Sequence, residues 1–170
     1  LKYPFTPINT ANFSAKTLSQ FDVLVMPSGY YSNLRSEEQL NGLKDWVRSG
    51  GKLIAIDQAV NVFADRDGFG LKSIEPESSD KSNMIPYGDR ERHSVKDLIT
   101  GSIYKVHLDT THPLAFGYSD LYFSLKQDDD AYLKLERGYN VGYFDGPAES
   151  YSGFSGSDAK KKLSDSFVFG

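Results

Sequence analysis

Asp57 ends an apolar run, Lys52-Leu53-Ile54-Ala55-Ile56. A loop of Ser28, Gly29, Tyr30 and Tyr31 follows an earlier run, Phe21-Asp22-Val23-Leu24-Val25-Met26, and Pro27. If both runs are neighbouring parallel strands, these residues meet at the C-terminal edge of a sheet, where open α/β folds bind ligands. A carboxylate there can accept hydrogen bonds from a ligand, or act as nucleophile or base in a hydrolase. It can equally cap the helix that starts near Gln58 and need no ligand. Tyr30 and Tyr31 would form an aromatic wall for a sugar or a peptide side chain, or cover the top of the sheet. His112, in a His-Pro turn, is placed at the rim. The candidate ligand site is thus Ser28, Gly29, Tyr30, Tyr31, Asp57, Gln58 and His112.

Other clusters read as structure. The chain has no cysteine, which removes thiol nucleophiles, disulfides and thiolate metal sites together. Asp65-Arg66-Asp67-Gly68-Phe69-Gly70 begins like a calcium loop, but Phe69 and Pro76 stand where later oxygen ligands belong. Asp128-Asp129-Asp130 reads as a solvated turn. Gly153-Phe154-Ser155-Gly156 lacks the last glycine of a serine elbow, because Ser157 holds that position. No metal site and no catalytic residue are assigned.

The elements that position the candidates can be read from periodicity. Ser36-Glu37-Glu38-Gln39 is a capping box, in which Gln39 is expected to reach back to the Ser36 amide. Leu40, Leu43 and Val47, with Trp46 beside them, give one apolar helical face, and Gly50-Gly51 stops the helix. Residues 21–57 therefore form a strand–helix–strand unit. Residues 58–63 can begin another helix. Residues 65–93 read as a long polar excursion. Short strands are expected at 103–108, 121–125, 132–135, 140–144 and 167–169, separated by turn signals. The predicted fold is α/β: an open, mostly parallel sheet flanked by helices, with a strand-rich C-terminal half, in a single domain over residues 1–170.

Composition bounds the partners. Hydrophobic residues make up 39% and charged residues 25% of the 170, which is a globular balance. Net charge is −4 and no basic stripe interleaves with aromatics, which argues against nucleic acid. No apolar run approaches the length of a membrane span. The start at Leu1-Lys2-Tyr3-Pro4 and the stop in Phe167-Val168-Phe169-Gly170 read as a piece of a longer protein.

Strand, glycine-bearing loop, helix, Gly-Gly, strand and sharp turn resemble the class I glutamine amidotransferase fold, a flavodoxin-like architecture. That family's second turn reads Gly-Ile-Cys-x-Gly, and the matching stretch here is Ala55-Ile56-Asp57-Gln58-Ala59. Asp57 stands in place of the nucleophilic cysteine, so the resemblance implies no glutaminase activity.

Three phrases give a narrower resemblance: Asp22-Val23-Leu24-Val25-Met26-Pro27-Ser28-Gly29, Thr111-His112-Pro113-Leu114-Ala115-Phe116-Gly117-Tyr118 and Asn140-Val141-Gly142-Tyr143. They are similar to the amidotransferase-like domains that follow the catalytic domain of some bacterial zinc carboxypeptidases of the carboxypeptidase A-like class. The resemblance implies a non-catalytic accessory domain, secreted or periplasmic, partnered with a peptidase domain of the same chain and binding peptide or carbohydrate. A free-standing carbohydrate- or ligand-binding module and a hydrolase using Asp57 are the alternatives. Zinc is implied only in the upstream peptidase domain. No cofactor is implied here, and His93, His107 and His112 all lack the His-x-x-Glu spacing.

Overall fold

Ser36 starts the first helix as its pattern requires. In the computed structural model, which describes residues 3–75 and 85–170, α1 spans Glu37–Arg48 and the Ser36 hydroxyl accepts the Gln39 amide at 3.4 Å. Gln39 does not reach back to Ser36. Its Oε1 accepts the Ala15 amide at 2.9 Å, tying α1 to the 3-10 turn Ala15–Gln20. The helix ends in a Schellman motif: the Gly50 and Gly51 amides bond to the Val47 and Trp46 carbonyls. Gly50 has φ +108°, which only glycine adopts at little cost.

α1 crosses over between β1 (Val23–Met26) and β2 (Lys52–Ala55), which pair in parallel with Val23 opposite Lys52 and Met26 opposite Ala55. One face of this pair, Leu24, Met26, Leu53 and Ala55, packs on Leu40, Leu43 and Trp46 of α1. Val47 is exposed; Trp46 takes the inward place and its indole donates to the Phe21 carbonyl at 3.1 Å. The opposite face, Val23, Val25, Ile54 and Ile56, is open, each residue 45% to 51% exposed.

These elements belong to the first of two compact units, residues 1–69; the second is residues 70–170. The second unit holds α2 (Arg90–Lys96), β3 (Ile99–Leu108), β4 (Leu121–Lys126), β5 (Tyr132–Leu133), β6 (Gly142–Tyr143), β7 (Ser150–Ser155), α3 (Ser157–Leu163) and β8 (Ser166–Phe169). Its sheet runs β4-β3-β6-β8-β5, with β7 also paired to β3, and every pairing is antiparallel.

The expected open, mostly parallel, flavodoxin-like sheet is therefore overturned. Among the described residues only β1 and β2 are parallel, and the larger, six-stranded sheet is antiparallel. The reason lies in the connections. Antiparallel neighbours need only a turn, whereas each parallel neighbour needs a crossover of a dozen or more residues, usually a helix. The second half is cut by turn signals every few residues, and Asp128-Asp129-Asp130 leaves no room for a helix between β4 and β5. The polar excursion is also shorter than expected. Residues 76–84 lie outside the described residues, and Arg90–Lys96 is helical.

The core of the second unit forms on one side of its sheet. Tyr104, Val106 and Leu108 of β3 point inward and pack with Val141, Phe144, Ala159 and Leu163. A buried chain of hydroxyls pins β7 to β3. Tyr104 donates to Ser155 Oγ at 2.6 Å, Ser155 to Ser102 Oγ at 2.9 Å, and Ser102 to the Phe154 carbonyl at 2.5 Å. Each hydroxyl in it has a partner, so burial leaves no donor stranded. Burial pushes the Tyr104 pKa above the usual tyrosine value, and the Ser155 bond opposes it.

Candidate functional site

At the C-terminal edge of the parallel pair, the two loops that the sequence places at one edge meet in one contact. The Ser28 hydroxyl, just past β1, donates to Asp57 Oδ2, just past β2, at 2.5 Å. Asp57 begins the 3-10 turn Asp57–Val62, and its backbone sits at φ +53°, the left-handed region in which Asp is tolerated better than most residues. The turn buries Ala59 and Val62, which fixes the direction in which the carboxylate leaves the sheet. Asp57 is not the helix cap; Ile56 holds that position and makes no side-chain cap bond.

The neighbouring candidates serve the loop. The Tyr31 hydroxyl donates to the Pro27 carbonyl at 2.7 Å and closes the turn around Ser28 and Gly29. Tyr30 is exposed, with the Arg35 guanidinium 5.4 Å from its ring centre. Gln58 is exposed beside Asp57. Six of the seven sequence candidates thus lie on two adjacent loops of the first unit. His112 belongs to the second unit, where its Nδ1 accepts the Leu114 amide at 3.3 Å and caps the turn Pro113–Ala115. Its ring lies 4.9 Å from that of Tyr139.

Several other motifs resolve into structure. Asp128 pairs with Lys126 at 3.0 Å and Asp129 with Lys162 at 2.9 Å, which accounts for two members of the acidic run. Ser155, the would-be elbow serine, is buried in the Tyr104 hydroxyl chain. Among the described residues, no three His, Asp or Glu side chains are grouped to hold a metal ion. No helix among them is long and apolar enough to cross a membrane.

A second candidate surface escapes sequence reasoning. The residues of β3 alternate, so that while Tyr104, Val106 and Leu108 face the core, Ile103, Lys105 and His107 face out. Register sets Leu125 opposite Ile103, Phe123 opposite Lys105, and Leu121 and Tyr143 opposite His107. On the other side of β3, Tyr151 of β7 reaches the same face; its ring lies 5.1 Å from that of Phe123, edge to face. Tyr151 is 66%, Leu125 61% and Phe123 49% exposed.

Gly101 and Gly153, with φ +111° and +90°, allow β7 to approach there. A Cβ on Gly153 would come within 2.3 Å of the Gly101 carbonyl oxygen. The pairing of β3 with β7 is irregular at this point, and irregular pairing re-aims side chains. The period-two pattern of 103–108 is the signal that could have exposed this face. The Ser- and Gly-rich β7, Ser150–Ser155, gives none, because its composition reads as a turn.

Compared with protein-family models, curated proteins and solved structures, the chain finds no match.

Proposed function

We propose that the chain is a non-catalytic binding module and that the open face of its antiparallel sheet is the binding surface. The observation that carries this reading is the exposed aromatic set on that face, Phe123 and Tyr151, with Ile103 and Leu125 beside it. Large rings exposed together on a hydrogen-bonded sheet are costly to leave in water and suit a ligand with an apolar side, such as a sugar ring. The role as an accessory to a secreted zinc carboxypeptidase, with zinc held by the upstream domain, rests on the three sequence phrases alone. The coding sequence upstream of Leu1 tests it, and a chain with no His-x-x-Glu zinc domain there would end it.

The binding reading is tested by depletion of the chain from solution by insoluble cell-wall polysaccharide. The wild-type chain is expected to bind, and a Phe123→Ala/Tyr151→Ala variant, checked for folding by circular dichroism, is expected to stay in solution. Equal behaviour of the two proteins would defeat the reading.

One observation favours a second reading, a hydrolase using Asp57: its carboxylate is exposed at a strand end with the Ser28 hydroxyl on Oδ2. Hydrolysis of a panel of esters, amides and glycosides, abolished by Asp57→Asn, would support it. No turnover by the wild-type chain would remove it.

A further inference from the structure

We propose that the open face of the antiparallel sheet selects an acidic polysaccharide, a glycan carrying uronate carboxylates. This rests on the reading of that face as a binding surface and adds the chemistry of its ligand. The argument begins with Lys105. It stands in the middle of the face, opposite Phe123 on β4, and its Nζ lies 5.4 Å from the centre of the Tyr151 ring. No carboxylate among the described residues forms an ion pair with it. The outward positions of β3 and β4 are Ile103, Lys105, His107, Leu121, Phe123 and Leu125, so no acid shares them. Further along the sheet Lys134 Nζ lies 4.8 Å from the centre of the Tyr143 ring, but it pairs with Asp165 at 3.7 Å and so adds no free charge to the face.

The face therefore offers rings and positive charge together in a chain of net charge −4. A pyranose presents weakly positive C–H groups from one side, which suit the negative face of an aromatic ring. A uronate carries its carboxylate at the rim of the same ring. With the sugar packed on Tyr151 and Phe123, the carboxylate falls within reach of Lys105, where a charge-assisted hydrogen bond can form. A neutral sugar offers the Lys105 ammonium no charged partner.

Other anionic or extended partners fit less well. A peptide strand would add along a free sheet edge, such as the outer side of β4, rather than lie across this face. Nucleic acid and anionic membranes are held by clusters of Lys and Arg, whereas this face has Lys105 at its centre and Lys134 farther along.

Affinity electrophoresis and calorimetry of the whole chain test the proposal, with polygalacturonate, a neutral galactan, single-stranded DNA and phosphatidylserine vesicles as probes. Polygalacturonate is expected to bind best and to weaken with added salt. Lys105→Gln and Tyr151→Ala should each weaken it by about tenfold, and Lys105→Arg should retain most of it. Both side chains are exposed, so these variants should fold, as far-UV circular dichroism will verify. Equal binding of galactan and polygalacturonate, indifferent to Lys105→Gln, would overturn the acidic-glycan proposal and leave the binding module standing. Tighter binding of DNA or vesicles than of polygalacturonate would also overturn it. No binding to either polysaccharide would defeat the proposal and the glycan-binding reading together.

Discussion

The two sheets of this chain each leave one face open, and the two faces differ in kind. On the parallel pair the open residues are Val23, Val25, Ile54 and Ile56, all aliphatic and β-branched. On the antiparallel sheet they are Phe123, Tyr151, Leu125 and Ile103 around Lys105. Aliphatic groups are attracted to any apolar surface and choose nothing. Rings with a cation beside them can distinguish ligands by shape and charge. The same contrast holds for polar groups. The Ser28–Asp57 pair is exposed and bonded to one partner at each end, while the Tyr104–Ser155–Ser102 chain is buried and works as a staple. The lesson is that the strand-end corner, where parallel folds usually bind, is here the less equipped of two surfaces.

Substitutions can break or sharpen this comparison. The largest effect belongs under the parallel pair. Leu43→Ala removes a fully buried side chain and should cost about 2–5 kcal/mol in urea unfolding. Val25→Thr, on the open face of the same pair, should stay within about 0.5 kcal/mol. A large cost at Val25 would mean that this face is covered in solution, and the contrast between buried and open faces would collapse.

Tyrosines make the next contrast. Tyr104→Phe leaves Ser155 without its donor in the core and should cost about 1–2 kcal/mol. Tyr151→Phe, with its hydroxyl on the open face, should be neutral for stability. The raised pKa of Tyr104 adds a sign. Its contribution is fully present below the unfolded tyrosine value, about 10, and is lost as pH rises through the higher folded value. The wild-type chain should therefore lose more stability in alkali than Tyr104→Phe. A parallel loss in both would contradict the buried-hydroxyl account.

Smaller effects probe the corner. Asp57→Gly removes a Cβ from a left-handed backbone and should change stability by less than about 1 kcal/mol in the stabilising direction. A marked loss would show that the Ser28 bond matters more than the strain. The smallest effect is at Asp109, whose carboxylate accepts the Thr111 hydroxyl at 2.6 Å and the Thr111 amide at 3.0 Å. The hydroxyl bond first, then the amide, holds its pKa below the usual aspartate value. Its contribution is present above the unfolded value and fades as pH falls through the lowered folded one. Thr111→Val should move the NMR-detected titration of Asp109 upward.

The parts legible in the sequence are those set by local chemistry. The Ser36 cap, the Leu40 and Leu43 stripe and the Gly50-Gly51 stop fix α1, and two apolar runs flanking a helix fix the parallel pair. Sheet architecture was not legible, because a short apolar run such as 121–125 reads alike in parallel and antiparallel sheets. The open aromatic face was missed for a related reason. It joins residues of three strands, Lys105, Phe123 and Tyr151, whose adjacency depends on register and on a glycine-permitted irregularity. That the Ser28 and Asp57 loops share an edge was legible, because parallel strands joined by one helix must end side by side; the hydrogen bond between them was not.

One titration tests the central claim most directly. Polygalacturonate added to the chain, with aromatic and methyl side-chain NMR signals assigned, reports both candidate surfaces at once. The account predicts shifts at Phe123, Tyr151, Ile103 and Leu125, with Tyr30 and Tyr31 unmoved. Shifts confined to Tyr30 and Tyr31, or none at saturating polysaccharide, would contradict it.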